Sequence, residues 1–216
     1  MDIDISQLRR NYTQDGLSRK DLREDPFAQF KLWFGQAVEA QLLEPNAMTL
    51  ATSTSGGHPT QRTVLLKNFD ERGFVFFTNY GSKKAQQIED HPRVSILFPW
   101  IALERQVIVT GTAHKIPRAE TLKYFLTRPL ESQLGAWAST QSGVISSKKV
   151  LQMKFAEVKA KFKDGKVPLP SAWGGYCVTP LSIEFWQGGA GRLHDRFLYS
   201  RESGEDDEWK IERLAP

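Results

Sequence analysis

The sequence predicts an α+β fold built mainly from antiparallel strands, and three observations carry that expectation. Five short stretches between residues 47 and 116 are rich in β-branched and aromatic side chains and alternate like half-buried strands. Turn signals, "SGGHP" (55–59), "FDERG" (69–73) and "NYGS" (79–82), separate the early ones, so neighbours join as hairpins. Crossover helices between those strands are missing, which disfavours a doubly wound parallel sheet. A meander of this kind with a few outlying helices closes as an antiparallel barrel.

Taken in order, the first 20 residues are polar and basic and form an expected mobile N-terminal segment, with 21–216 as a single domain. Asp25-Pro26 supplies a helix N-cap and an N1 proline. Phe27, Phe30, Phe34, Val38 and Gln41/Leu42 follow at helical spacing, and Pro45 ends the run. Strands are expected at 47–53, 61–68, 74–79, 93–100 and 104–116, with a short helix at 82–91. Helices at 118–138 and 146–164 come next. Strands at 175–187, 196–201 and 208–214 close the chain.

Composition narrows the function classes. With 216 residues, 40% hydrophobic and 25% charged, the chain is an ordinary globular protein able to bury a sizeable core. The single cysteine, Cys177, excludes an internal disulfide framework and suits a reducing, cytoplasmic compartment. A net charge of +4 is too small to announce a nucleic-acid partner and fits an anionic small ligand. The longest apolar run, Val94–Leu103, is broken by Ser95 and Pro99 and is about half a membrane span. His58, His91, His114 and His194 are scattered, so no metal site is expected. There is no G-x-S-x-G elbow and no phosphate-binding G-x-x-x-x-G-K-[ST] loop.

Five stretches gather cations and hydroxyls beside strands. In "QRTVLLKN", Arg62 and Lys67 point to opposite faces of a regular strand, reading either as snorkelling side chains or as two cations reaching different anionic groups. In "FFTNYGSKKAQQ", Thr78, Ser82, Lys83 and Lys84 crowd a helix N-terminus, a natural phosphate seat and equally an ordinary capped start. In "TLKYFLTRPLESQ", Tyr124 and Arg128 share a helix face that Ser132 continues if Pro129 leaves the register intact. "STQSGVISSKK" reads first as a capping loop; the helix behind it carries seven lysines from Lys148 to Lys166 over an apolar stripe of Leu151, Phe155, Val158 and Phe162. An RNA- or membrane-surface reading of that helix is the weakest alternative. In "QGGAGRLHDR", an extended backbone puts Arg192, His194 and Arg196 on one face, close behind Trp186, which suits a flat anionic heteroaromatic ligand; a hairpin whose arginines pair with Asp195 and the acidic 202–208 loop is the competing account.

Set in order, "LRRNY", "QRTVLLK", "FFTNYGSKKA", "HPRVSILFPW", "LERQV", "KYFLTRPLESQLGAW", "QS", "VPLPSAWGGY", "IEFWQGG" and "RLHDRF" resemble the pyridoxine/pyridoxamine 5′-phosphate oxidase family, from about Leu8 to the end. The resemblance implies an FMN-binding split β-barrel with peripheral helices, assembled as a homodimer with FMN at the interface. It implies oxidation of pyridoxine or pyridoxamine 5′-phosphate by O2. By the same resemblance, Arg62, Lys84, Gln141 and Ser142 gather around FMN, chiefly its phosphate. Thr63, Val64, Leu65, Leu66, Lys67, Phe77, Thr78, Lys83, Gln106, Trp186 and Arg196 complete the cofactor set. Lys67, Tyr124, Arg128 and Ser132 hold the substrate phosphate, and Arg192 and His194 lie over the pyridine as the catalytic pair. Arg9, Arg10 and Tyr12 belong to a segment that folds over substrate.

Three positions depart from the family pattern: Phe77 stands for a frequent Tyr, Lys83 for a frequent Arg, and "RRNY" for "RREY". A different split-barrel oxidation, or an FMN- or pyridoxal-phosphate-binding carrier without turnover, are the alternatives.

Overall fold

The computed structural model describes residues 11–13, 16–139, 141–202 and 208–216. Among them the strands are β1 (Ala47–Ser53), β2 (Pro59–Leu65), β3 (Asn68–Asp70), β4 (Gly73–Asn79), β5 (Arg93–Trp100), β6 (Arg105–Lys115), β7 (Trp173–Gln187), β8 (Asp195–Ser200) and β9 (Lys210–Leu214). They hydrogen-bond in the order β2-β1-β5-β6-β7-β4-β3, with β8 added on β7 and β9 on β8. The registered pairs β3/β4, β4/β7, β7/β8 and β8/β9 are antiparallel. At 15 residues, β7 takes β4 along its first half (Phe74↔Val178 to Asn79↔Trp173) and β8 along its second (Ser182↔Ser200 to Gln187↔Asp195). The expected antiparallel α+β architecture is the one observed. No helix among the described residues is long and apolar enough to cross a membrane.

The chain packs as two compact units, Met1–Thr49 with Ser95–Thr110 and Pro180–Pro216, and Leu50–Val94 with Gly111–Thr179. The first is organised by α1 (Pro26–Glu39). Asp25 caps it, its carboxylate accepting from the Phe27 and Ala28 N–H groups, as the Asp-Pro pair predicts. Its buried stripe is Phe27, Phe30, Trp33 and Ala37, and Val38 is exposed. The helix stops at Glu39, well before Pro45, because Gln41 turns into the left-handed region (φ 54°). Phe30 meets Phe98 and Trp100 at centroid distances of 5.0 and 5.9 Å, and Trp33 meets Phe185 edge-on at 5.2 Å.

In the second unit, α2 (Lys83–Asp90) starts at Ser82, whose hydroxyl accepts from the Ala85 N–H. The single helix expected at 118–138 is two, α3 (Arg118–Thr127) and α4 (Leu130–Ala138). Arg128 precedes a proline and is therefore held extended (φ −73°, ψ 146°), which breaks the helix at that residue. Phe125, Leu134, Val167 and Trp173 form the core here, and Phe155 and Val158 of α5 (Lys148–Lys161), with Phe162 at its C-cap, pack against it. The lysine-rich helix thus rests on Phe155, Val158 and Phe162 of the expected stripe, while Leu151 lines a separate small cavity. Cys177 is buried beside Val75 and Ile116.

An acid-free cationic cleft and the loop that carries His194

Within the second unit, β2, β4, α3 and α4 surround a cleft of about 720 Å³. Thr63, Val64, Leu65 and Lys67 line it from the end of β2, and Phe77 and Thr78 from β4. Tyr124, Arg128 and Ser132 reach it from α3, the break and α4, and Lys84 and Gln141 also face it. The helical row expected to align Tyr124, Arg128 and Ser132 does not exist, yet the kink brings all three to one cavity. Among its described lining residues there are three cations and no carboxylate.

Two details mark the cleft as built for anions. Lys84 is 7% exposed and donates to the oxygens of Thr78 (3.1 Å), Ser82 (3.4 Å) and Gln141 (3.3 Å), all neutral. Burial pulls its ammonium down to about 8, and the neighbouring Arg62 charge adds to the effect. Arg128 has its guanidinium 4.5 Å above the Trp173 ring, and its buried Nη1 has no hydrogen-bond partner. Burial lowers the Arg128 pKa as well, though an arginine stays charged. Phe77, Tyr124 and Trp173 form a stacked wall, Phe77 lying 4.1 Å from Tyr124 and 5.3 Å from Trp173 with nearly parallel planes. Trp173 and Ser139 line the cleft and were not read from the sequence as site residues; an aromatic opening a strand after "PLPSA" was the available signal for the first.

Other expected residues sit elsewhere. Leu66 is buried outside the lining. Arg62 turns its fork onto the Leu50 carbonyl and the Thr52 and Thr60 hydroxyls. The odd separation of Arg62 and Lys67 decides nothing, because β2 ends at Leu65. Lys83 and Ser142 line an adjoining cavity of about 750 Å³ that shares Asn79, Ala136, Ser139 and Gln141 with the first. Ser142 adopts φ 70°. Arg9 and Arg10 lie outside the described residues.

Gln106, Trp186, Arg192, His194 and Arg196 belong to the first unit. The "RLHDR" stretch is not extended throughout. Ala190–Arg192 forms a 3-10 turn with Arg192 at φ 64°, and the strand begins only at Asp195, so the shared-face expectation fails at Arg192. His194 packs against Trp186 (4.7 Å) and edge-on to Tyr12 (5.5 Å), and its Nδ1 accepts from the Gly189 N–H. That acceptor role puts any ring proton on Nε2. Arg196 pairs with Glu184 at 2.8 Å. Asp195 pairs with Arg213 and also accepts from the Leu17 N–H, and Arg196 turns to Glu184, so Arg196 does not pair with Asp195 as the competing account expects; the acidic loop of that account lies mostly outside the described residues.

Fold and cleft together define a split-barrel protein with an anion-receptive site. PhzG from Burkholderia lata 383, solved in complex with tetrahydrophenazine-1-carboxylic acid, is similar at a TM-score of 0.87 and 30% identity, over 94% of this chain and 98% of that one. A pyridoxamine 5′-phosphate oxidase-related, FMN-binding protein from Nostoc punctiforme shares the fold at a TM-score of 0.69 and 17% identity, over 90% of this chain and 100% of that one. The chain belongs to the pyridoxamine 5′-phosphate oxidase family: residues 34–162 match that family, and 173–216 match the pyridoxine 5′-phosphate oxidase C-terminal dimerisation region. The pyridoxine/pyridoxamine 5′-phosphate oxidase of Crocosphaera subtropica is 60% identical, over 99% of this chain and 100% of its own length. That of Escherichia fergusonii is 58% identical, over 98% and 96%.

Proposed function

We propose that the chain is an FMN-dependent oxidase that converts pyridoxine or pyridoxamine 5′-phosphate to pyridoxal 5′-phosphate, with O2 as electron acceptor and hydrogen peroxide as product. The observation that carries this reading is the acid-free cleft, where Lys67, Tyr124, Arg128 and Ser132 stand beside Thr63–Leu65, Thr78, Lys84 and Gln141. It offers cations and hydroxyls enough for two phosphates, and its volume lies in the range of about 300–1,000 Å³ typical of small-ligand sites.

FMN fits the residues present. Among the described residues Lys84 is a buried cation without a counter-charge, Arg128 has an unpartnered donor, and the Phe77–Tyr124–Trp173 wall offers an aromatic surface. When bound, FMN supplies the two-electron chemistry that no side chain here can supply. Lys84, Thr78 and Gln141 would hold its phosphate end, and Lys67, Tyr124, Arg128 and Ser132 the substrate phosphate, so that the ring is presented in a near-attack position. Arg192 would steady the electron-rich ring as a permanent cation, and His194 would hold or move a proton at Nε2. A homodimer with FMN at the subunit interface is the proposed assembly, supported by the match to a dimerisation region. Residues 1–20 would act as the segment that covers substrate, and Tyr12, already against Trp186 and His194, supports that role.

Two measurements test the proposal. The purified protein should show a flavin absorption spectrum, and pyridoxamine 5′-phosphate should start oxygen consumption. A flavin-containing protein that consumes no oxygen with either substrate overturns the oxidase reading and leaves a binder.

A further inference from the structure

A closed polar network joins β1, β2 and α2. Arg62 donates from Nη1 to the Leu50 carbonyl (3.1 Å) and the Thr52 hydroxyl (2.6 Å). Its Nη2 donates to the Thr60 hydroxyl and, at 3.5 Å, to Gln87 Oε1. A guanidinium only donates, so both threonine oxygens must accept from it. The two hydroxyls also lie 3.5 Å from each other, but Gln87 Oε1 is the much nearer acceptor for both, at 2.6 Å from Thr52 and 2.7 Å from Thr60. Both hydroxyls therefore turn their lone pairs to Arg62 and their hydrogens to Gln87.

Gln87 itself is 3% exposed, and its buried Nε2 has no partner. A residue selected for packing alone would be apolar, avoiding that orphaned amide. A residue selected only to hold an arginine would be glutamate, whose charge pairs with it. Glutamine does neither: it orders the two hydroxyls toward Arg62 and leaves the arginine's charge uncancelled. That charge acts on Lys84, whose ammonium it helps to depress.

We propose that Gln87 is a positioning residue for the phosphate of the flavin cofactor, fixing Arg62 through Thr52 and Thr60 while keeping the Arg62–Lys84 pair net positive. This deepens the proposed function and rests on its reading of the cleft as an FMN site.

The test uses the full-length protein and compares dissociation constants for FMN and for riboflavin, which has the same ring and no phosphate, by quenching of flavin fluorescence. Gln87→Glu keeps the acceptor and adds a charge, so the preference for FMN over riboflavin should fall by at least about tenfold with riboflavin affinity unchanged. Thr60→Val, on a partly exposed strand, removes one limb without adding charge and should lower the preference severalfold. If both variants keep the wild-type preference, or weaken the two ligands equally, Gln87 is only structural and the proposal is overturned. Arg62→Ala separates the two levels of the argument. If it abolishes the preference while Gln87→Glu does not, the role of Gln87 alone fails. If wild-type protein shows no preference for FMN, the underlying site reading fails with it.

Discussion

Raising the pH from 7 to 9 should weaken FMN binding through one side chain, Lys84. In the ligand-free protein its ammonium titrates at about 8 instead of the ordinary 10.5, because burial surrounds it with neutral oxygens and Arg62 repels it. A phosphate dianion placed against it supplies an attraction that opposes both causes and returns the pKa toward its ordinary value. Binding then takes up a proton, about half of one per FMN at pH 8. The dissociation constant should rise about tenfold between pH 7 and pH 9, since each unit above the ligand-free pKa is a factor of ten.

The sign for folding runs the other way. The unfolded chain holds this proton up to 10.5 and the ligand-free fold only to about 8, so Lys84 lowers ligand-free stability below pH 8, and that cost disappears as pH rises from 8 to 10.5. Lys84→Met should accordingly raise the ligand-free stability at pH 7 by about 1–3 kcal/mol, while cutting FMN affinity and abolishing its pH dependence. Fluorescence titrations across pH 7–9, with calorimetry at pH 8 in two buffers of different ionisation enthalpy, measure both quantities. A flat dissociation constant without proton uptake, or an equal slope in Lys84→Met, would refute the reasoning.

Three further outcomes are expected. Arg128→Ala should raise KM for pyridoxamine 5′-phosphate by about 10- to 100-fold, the value of a charge-assisted contact, with a smaller change in FMN affinity measured separately. Arg192→Ala should lower kcat/KM by a similar factor and leave FMN affinity within about twofold, whereas Arg62→Ala should do the reverse; release of flavin from the Arg192 variant would mean the two roles are exchanged. Gly73→Ala should destabilise the fold by at least about 2 kcal/mol in a denaturant titration, without touching the cleft. Gly73 sits at φ 142°, and a Cβ there would lie 2.1 Å from the Val178 carbonyl oxygen.

What the sequence made legible follows from the range of each interaction. Alternation and turn residues act over a few positions, so β1, β5 and the capped start of α1 sit where local pattern puts them. Arg128-Pro129 shows local chemistry acting against periodicity, since the pre-proline residue cannot continue the helix that the apolar spacing suggests. Arg192 shows the same at a loop: Gly191 and Arg192 both take positive φ (63° and 64°), and a parity rule for strands has no meaning there. The Arg62 network was beyond reach, because Thr52, Thr60, Arg62 and Gln87 come from three elements and become neighbours only through sheet pairing and helix packing.

Site chemistry obeys the same division. Residue types alone left an anion site level with snorkelling lysines and an ordinary helix cap, and the order of the motifs pointed to the site. Protonation of the lysines depends on burial and on absent carboxylates, which are properties of the assembled cleft. Lys83 and Lys84 are adjacent and identical in type, yet Lys84 is buried against three oxygens and Lys83 is exposed on a neighbouring cavity. The helix phase that turns one inward and the other outward gives only one of them the strained charge that an anion can relieve.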